Sequence, residues 1–525
     1  MLGSPRASPN SLAIASASGR VARPDTRYNF LWVTSSMGGG EILVGGGSAS
    51  DHTARATSRI SRYGWLIGDF LRQSENHHSS PIVDPIATPS PPAQSVTRPK
   101  HFPGSGSPAD QVLAELEAKR SDDVRWNEGR TFGLVFDGGD EVRYVAERAA
   151  QTFLHENALN TAAFPSLGAI QSELCAWTAD LLHGPEGTAG FVTSGGTESI
   201  LCAVEAARER AHVERGVHEP EIVLATSAHA AFHKAAHLFG LRPRVVDVTV
   251  DWTPDLDAMA DAVNDQTALV VASAPQYPQG VVDPVEDIAQ MAVDVGASCH
   301  VDACMGAFVL PFAAMEEPDM WAAPPWDLAV EGVTSISADI HKLGYAPKGV
   351  SVLLHRSKAL RRYQTFDFDG WLGGRYVTPN LQGTRSGLPM AAAWAVVRFL
   401  GTDGYRQLVR RTISAADQIR TGVRAVDGLT VPSGCRHHLL SITADPCTDH
   451  PLDPFSVGDA MAARGWHHDR QGPPDGLHLT VSAGNAPVVK RWLSDLAEAV
   501  DDVRSSSGTG TAPVNPATVA YSTLE

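Results

Sequence analysis

The sequence predicts an α/β protein: a mostly parallel sheet wrapped by helices, followed by a smaller C-terminal α+β domain. Three observations predict it. Between about residues 186 and 360, short apolar strand patterns alternate with helical ones, as parallel strands joined by crossover helices do. After residue 360 the alternation gives way to long helical patterns and a few strands. The chain has 525 residues, 43% of them hydrophobic, enough for a large core and more than one domain.

Taken in order, residues 1–108 are rich in Ser, Gly, Pro and Ala, as in Gly38-Gly39-Gly40 and Pro89-Ser90-Pro91-Pro92. Such a segment buries too little apolar surface to offset its ordering entropy, so a disordered extension is expected. Residues 60–71 are its one amphipathic stretch. An N-terminal helical segment follows over 109–185, with helices expected at 109–119, 142–153 and 169–182 and a loop at 156–167. Val112, Leu113 and Leu116 share one face of the first helix. The large α/β domain, 186–360, reads as strands at 190–193, 222–226, 245–250, 269–273 and 298–302. Helices fall between them at 197–213, 230–238, 256–263 and 285–295. Two further strand patterns flank a loop around Lys342, the second at 350–354. The small domain, 361–504, reads as helices at 388–400 and 405–426, strands at 439–443 and 477–482, and a closing helix at 487–503. Residues 505–525 form a second polar tail.

Composition excludes some functions. A net charge of −17 argues against nucleic acid as a partner, because phosphate backbones need basic surface. The six cysteines include no Cys-x-x-Cys pair, which points to reduced thiols in a cytoplasmic protein and to no zinc or disulfide framework. No apolar run approaches the roughly 20 residues of a membrane span, and no signal-peptide layout opens the chain.

Four loops at expected strand ends carry the chemistry. Ser194-Gly195-Gly196-Thr197 is a glycine turn opening a helix, a place where backbone N–H groups approach a phosphate; it is also an ordinary turn. His229 follows the next strand and could stack on a flat ring or serve as a structural histidine. Asp302 ends a strand and could hold a proton on a pyridine nitrogen or cap a turn. His341-Lys342 lie between two strands, and a lysine there could form a Schiff base with a carbonyl cofactor. Lys348, six residues on, either adds positive charge or lies in solvent. Together the four match one ligand, pyridoxal 5'-phosphate.

The chain resembles the pyridoxal-phosphate-dependent sphingosine-1-phosphate lyase family of the group II decarboxylase superfamily, from about residue 115 to 503. The resemblance rests on Thr193-Ser194-Gly195-Gly196-Thr197-Glu198-Ser199, the His229 motif, His300-Val301-Asp302-Ala303-Cys304, and the Ser-Ala-Asp-Ile-His-Lys-Leu-Gly-Tyr-Ala-Pro-Lys-Gly run over 337–349. It implies a fold-type I transferase fold and a homodimer with the active site at the subunit interface. It makes Lys342 the Schiff-base lysine, Asp302 the partner of the pyridine nitrogen and His229 the stacking histidine. Gly195, Gly196, Thr197 and His341 become the phosphate binders. Asn157, Tyr277 and Lys348 match positions near the substrate, and Arg385 would meet an anion. The chain departs from the family at Asn157-Ala158-Leu159-Asn160, where Asn160 replaces a histidine that helps hold the substrate phosphate. Asparagine cannot carry its charge.

The implied reaction is carbon–carbon cleavage of a 2-amino alcohol, free or phosphorylated, to an aldehyde and an amine. The alternatives are an amino-acid decarboxylase, which needs a cation such as Arg385 for the carboxylate, and a non-catalytic cofactor-binding protein.

Overall fold

The computed structural model describes residues 101–316, 324–432, 434 and 437–506. The 60–71 stretch and most of the two expected tails lie outside the described residues. Residues 101–108 are exposed and form no regular element.

Seven strands build the main sheet: β1 (Ala189–Thr193), β2 (Glu221–Ala225), β3 (Arg242–Val246), β4 (Thr267–Ser273), β5 (Ser298–Asp302), β6 (Val333–Ala338) and β7 (Ser351–His355). Their order is β1-β7-β6-β5-β4-β2-β3. Every residue of β2, β4, β5 and β7 is buried, so both faces of the sheet are covered, and these strands read as apolar runs instead of alternating ones. β7 runs antiparallel to both neighbours and the remaining pairs are parallel. An antiparallel neighbour needs no crossover helix. The β6–β7 connection is therefore free to be a loop, and Lys342 lies in it.

One consequence sets the site. Because β7 reverses twice, β1 points the same way as β2, β4, β5 and β6. The carboxyl ends of all five reach the same edge, where ligands of open α/β sheets bind.

β3 lies at 242–246 and not at the expected 245–250. It is an edge strand paired only with β2, and Arg242 and Arg244 both reach Glu221 on that neighbour. Cross-strand pairing set the register there, while the apolar residues further on, which suggested a strand, include the exposed Val250.

Beyond the sheet, β8 (Phe366–Phe368) and β9 (Tyr376–Thr378) form a hairpin that the sequence did not announce. The two helices expected next are one, Leu388–Arg424, broken at Gly401, whose φ of +53° suits glycine. A second sheet follows, of β10 (Leu429–Thr430), β11 (Leu439–Ala444), β12 (Asp469–Gln471) and β13 (Gly476–Thr480), in the order β10-β11-β13-β12. Helices Pro454–Ala463 and Val489–Ser506 accompany it. Phe132 joins this second core, stacked on His468 at 5.5 Å and edge-on to Trp492 at 5.7 Å. Val142 and Ala146, ten residues on, belong to the core of the main sheet. The segment before β1 thus ties the two cores together. No helix among the described residues is long and apolar enough to cross a membrane.

Candidate active site

A cavity of about 300 Å³ opens at the shared strand edge. Its walls come from the loops after β1, β2, β4, β5 and β6, and they include Gly195, Gly196, Thr197, His229, Asp302, His341, Lys342 and Tyr277. Residues separated by up to 147 positions meet because the strand directions bring them there.

After β1 the chain turns at Gly195 and enters helix Gly196–Arg215. A Cβ on Gly196 would lie 2.8 Å from both Asp339 Oδ2 and Cys304 Sγ, so only glycine lets the turn sit this low. The Ser194 N–H donates to the buried Glu198 carboxylate at 2.6 Å, which pins the turn to its helix. The first-turn N–H groups and the positive end of the helix dipole then face the cavity.

His229 follows β2. Its Nδ1 accepts from the Ala231 N–H at 3.1 Å, so the imidazole caps the next helix while its ring lines the cavity. Burial holds its pKa below the ordinary histidine range, against the pull of Asp302.

Asp302 ends β5, in register with Ser273 on β4 and Ser337 on β6. Its Oδ1 accepts from the Cys304 N–H at 3.0 Å and the Ser337 hydroxyl at 3.2 Å. His300 backs this arrangement, 3.2 Å from the Ser337 oxygen. Both donors fall on Oδ1, which orients the carboxylate with Oδ2 as its second acceptor.

Lys342 follows β6, and its Nζ lies 3.0 Å from Asp339 Oδ2. Burial pushes the His341 imidazole down to about 4, so it is neutral at physiological pH. The Lys348 ammonium donates to the His341 carbonyl at 2.8 Å and sits 4.6 Å from the centre of the Phe136 ring. Although Lys348 is exposed to solvent, partial desolvation of its amine by the surrounding protein, with the charge of Lys342 nearby, pushes it down to about 8.

Tyr277, on the loop after β4, donates its hydroxyl to Asp469 at 2.8 Å and stacks on His478 with ring centres 3.8 Å apart. The second sheet therefore holds one wall of the cavity.

Asn157, Asn160, Lys348 and Arg385 do not line the cavity. Asn157 Oδ1 accepts from the Leu159 N–H at 2.9 Å, and Asn160 Oδ1 from the Ala162 N–H at 2.9 Å. Arg385 donates to the Val192 and Ala158 carbonyls at 3.3 and 3.1 Å. Two site residues escaped the sequence reading. Asp339 lies inside the lysine motif itself and could have been noticed there. Asp469 sits in a three-residue strand with no recognisable signal.

The residues fit pyridoxal phosphate on three counts: a turn with no Cβ to exclude a phosphate, a lysine amine in the same cavity, and a carboxylate fixed through one oxygen.

Comparison with known proteins agrees with this fit. The profile of the pyridoxal-dependent decarboxylase conserved domain matches residues 92–441. The sphingosine-1-phosphate lyase of Arabidopsis thaliana is 36% identical over 77% of this chain and 74% of its own length. Sphingosine-1-phosphate lyase 1 of Rattus norvegicus is 36% identical over 77% of this chain and 70% of its own. Among solved structures, the sphingosine-1-phosphate lyase of Burkholderia pseudomallei superposes with a TM-score of 0.72 at 38% identity, covering 78% of this chain and 94% of that one. The glutamate decarboxylase of Lactobacillus brevis, at 21% identity and a TM-score of 0.67, shares the fold. The chain belongs to the sphingosine-1-phosphate lyase family within the pyridoxal-dependent decarboxylases, and it is a pyridoxal-phosphate-dependent lyase.

Proposed function

We propose that the enzyme cleaves the Cα–Cβ bond of a 2-amino alcohol, releasing an aldehyde and an amine. The observation that carries this reading is the disposition of Arg385. A decarboxylase needs a cation for the substrate carboxylate, and the guanidinium that could supply it donates instead to the Val192 and Ala158 carbonyls. The relatives named as sphingosine-1-phosphate lyases favour the same side.

Pyridoxal phosphate, when bound, supplies a ring that accepts the electron pair of the breaking bond. The remaining work falls to the chain. Lys342 is the covalent anchor and, once released by the substrate amine, an amine in the same cavity that could return a proton to Cα. Asp302 keeps a proton on the ring nitrogen through its second oxygen, favouring the charged form as an adjacent carboxylate does. His229 gives the ring a flat surface. Gly195, Gly196 and Thr197 offer the helix N-terminus to the phosphate, with His341 beside them. Tyr277 brings a hydroxyl held by Asp469 to the wall where the substrate β-hydroxyl must lose its proton. Lys348, on the same loop as Lys342, could offer its ammonium to an anionic headgroup.

The same reading takes the protein as a cytoplasmic homodimer. Among the described residues five cysteines are free thiols, in keeping with a reducing compartment. The β8–β9 hairpin exposes Phe366, Trp371, Leu372 and Val377, an apolar surface suited to a second copy. Light scattering tests the assembly.

The activity is tested by incubating the holoenzyme with phosphorylated and free 2-amino alcohols and with amino acids. Aldehyde release from an amino alcohol is expected. Carbon dioxide release from an amino acid, with no aldehyde from any amino alcohol, would overturn the assignment.

A further inference from the structure

Asp339 is 1% exposed, and neither carboxylate oxygen has a donor in hydrogen-bond geometry. A buried carboxylate left so is costly unless a cation stands beside it. The cation is Lys342, with Nζ 3.0 Å from Oδ2. His341 Nε2 lies 3.6 Å from the same oxygen, but its neutral imidazole brings little charge. Gly196 closes the other side, since a Cβ there would come within 2.8 Å of Oδ2. Although burial works against the ionised form, the Lys342 charge beside it holds the Asp339 carboxyl below its ordinary range.

Lys342 has two bonding states in a site of this kind. It is attached to the cofactor, or it is released when the substrate amine takes its place. We propose that Asp339 is the positioning residue of this amine: its buried carboxylate receives the Lys342 ammonium each time the lysine is released. The proposal rests on Lys342 being the covalent anchor. The other titratable groups that face this pair are Asp302 and Cys304 from the β5 loop, His229 from the β2 loop, Lys348 from the same β6–β7 loop, and His438 at the start of β11. Asp302 is the second carboxylate and Lys348 the second amine. Burial lowers the His229 pKa, keeps His438 uncharged with a pKa of about 3, and raises the Cys304 thiol well above its ordinary range.

A carboxylate at 3.0 Å favours the ammonium. Condensation with the cofactor aldehyde needs the neutral amine: the C=N bond forms, the aldehyde oxygen leaves as water, and the ammonium proton goes to solvent. Attachment should therefore accelerate as pH rises. The test strips the cofactor and follows the visible band by stopped flow after adding pyridoxal phosphate back. The wild-type rate is expected to rise about tenfold per pH unit through the neutral range, as for one titrating amine. Asp339→Asn should move that rise about one to three units lower, so that loading at pH ~7 is at least about tenfold faster. An unshifted profile in Asp339→Asn overturns the proposal. So does a wild-type profile already flat at pH ~7, which needs no variant and survives any failure of Asp339→Asn to fold. Lys342→Ala should give no covalent band at any pH. A band there would overturn the anchor assignment itself, and the proposal with it.

Discussion

The cavity at the strand ends and the loop around residues 157–160 were both expected to serve one ligand, yet their hydrogen bonds run in opposite directions. In the loop, the side-chain oxygens of Asn157 and Asn160 accept from backbone N–H groups, and two of the Arg385 nitrogens donate to backbone carbonyls. At the strand ends, Asp302 is held through one oxygen, and Asp339 faces the Lys342 ammonium. Buried polar groups are ordinarily satisfied, so the side chains left for something outside the chain mark the ligand site. A polar side chain near a site is not part of it until its bonds are accounted for.

The largest effect should come from the cavity side. Lys342→Ala removes the anchor and the proton carrier together, and aldehyde release should fall at least about 100-fold. Survival of turnover would erase the distinction between the two regions. Asp302→Asn keeps the shape but loses the charge opposite the ring nitrogen. The loss of a charged hydrogen bond, about 1.5–3 kcal/mol, corresponds to roughly ten- to hundredfold in kcat with little change in KM. Gly196→Ala places a methyl 2.8 Å from Asp339 and Cys304. Overpacking of about 1–3 kcal/mol should appear in the melting temperature, and the stabilisation given by added cofactor should shrink. The smallest effect should come from the loop. Asn160→Ala loses a turn hydrogen bond worth about 1 kcal/mol and should leave kcat and KM within about twofold. A tenfold rise in KM would move Asn160 to the ligand side and sharpen the boundary elsewhere.

The cavity residues were legible because each lies at a strand end, and alternating strands and helices already say that such ends converge. Gly196, His229, Asp302 and Lys342 needed only the order of elements to be brought together. The antiparallel β7 was not legible, since an apolar strand carries no mark of its direction. The settings of Asn157, Asn160 and Arg385 were not legible for a related reason. Their partners are backbone atoms, and Arg385 reaches carbonyls of Val192 and Ala158, some two hundred positions away in sequence. Asp469 was invisible because its value lies in the Tyr277 hydroxyl, which comes from a different sheet. β3 was displaced because an edge strand of arginines and proline takes its register from Glu221 and not from an apolar pattern.

The central claim is that Lys342, and no other lysine, binds the cofactor at the strand-end cavity. Borohydride reduction of the holoenzyme fixes the cofactor on its lysine, and peptide mass spectrometry then locates it. The account predicts the phosphopyridoxyl mass on the peptide at Lys342, lost in Lys342→Ala. The same mass on Lys348 or another lysine, or no adduct on a fully loaded enzyme, would contradict it.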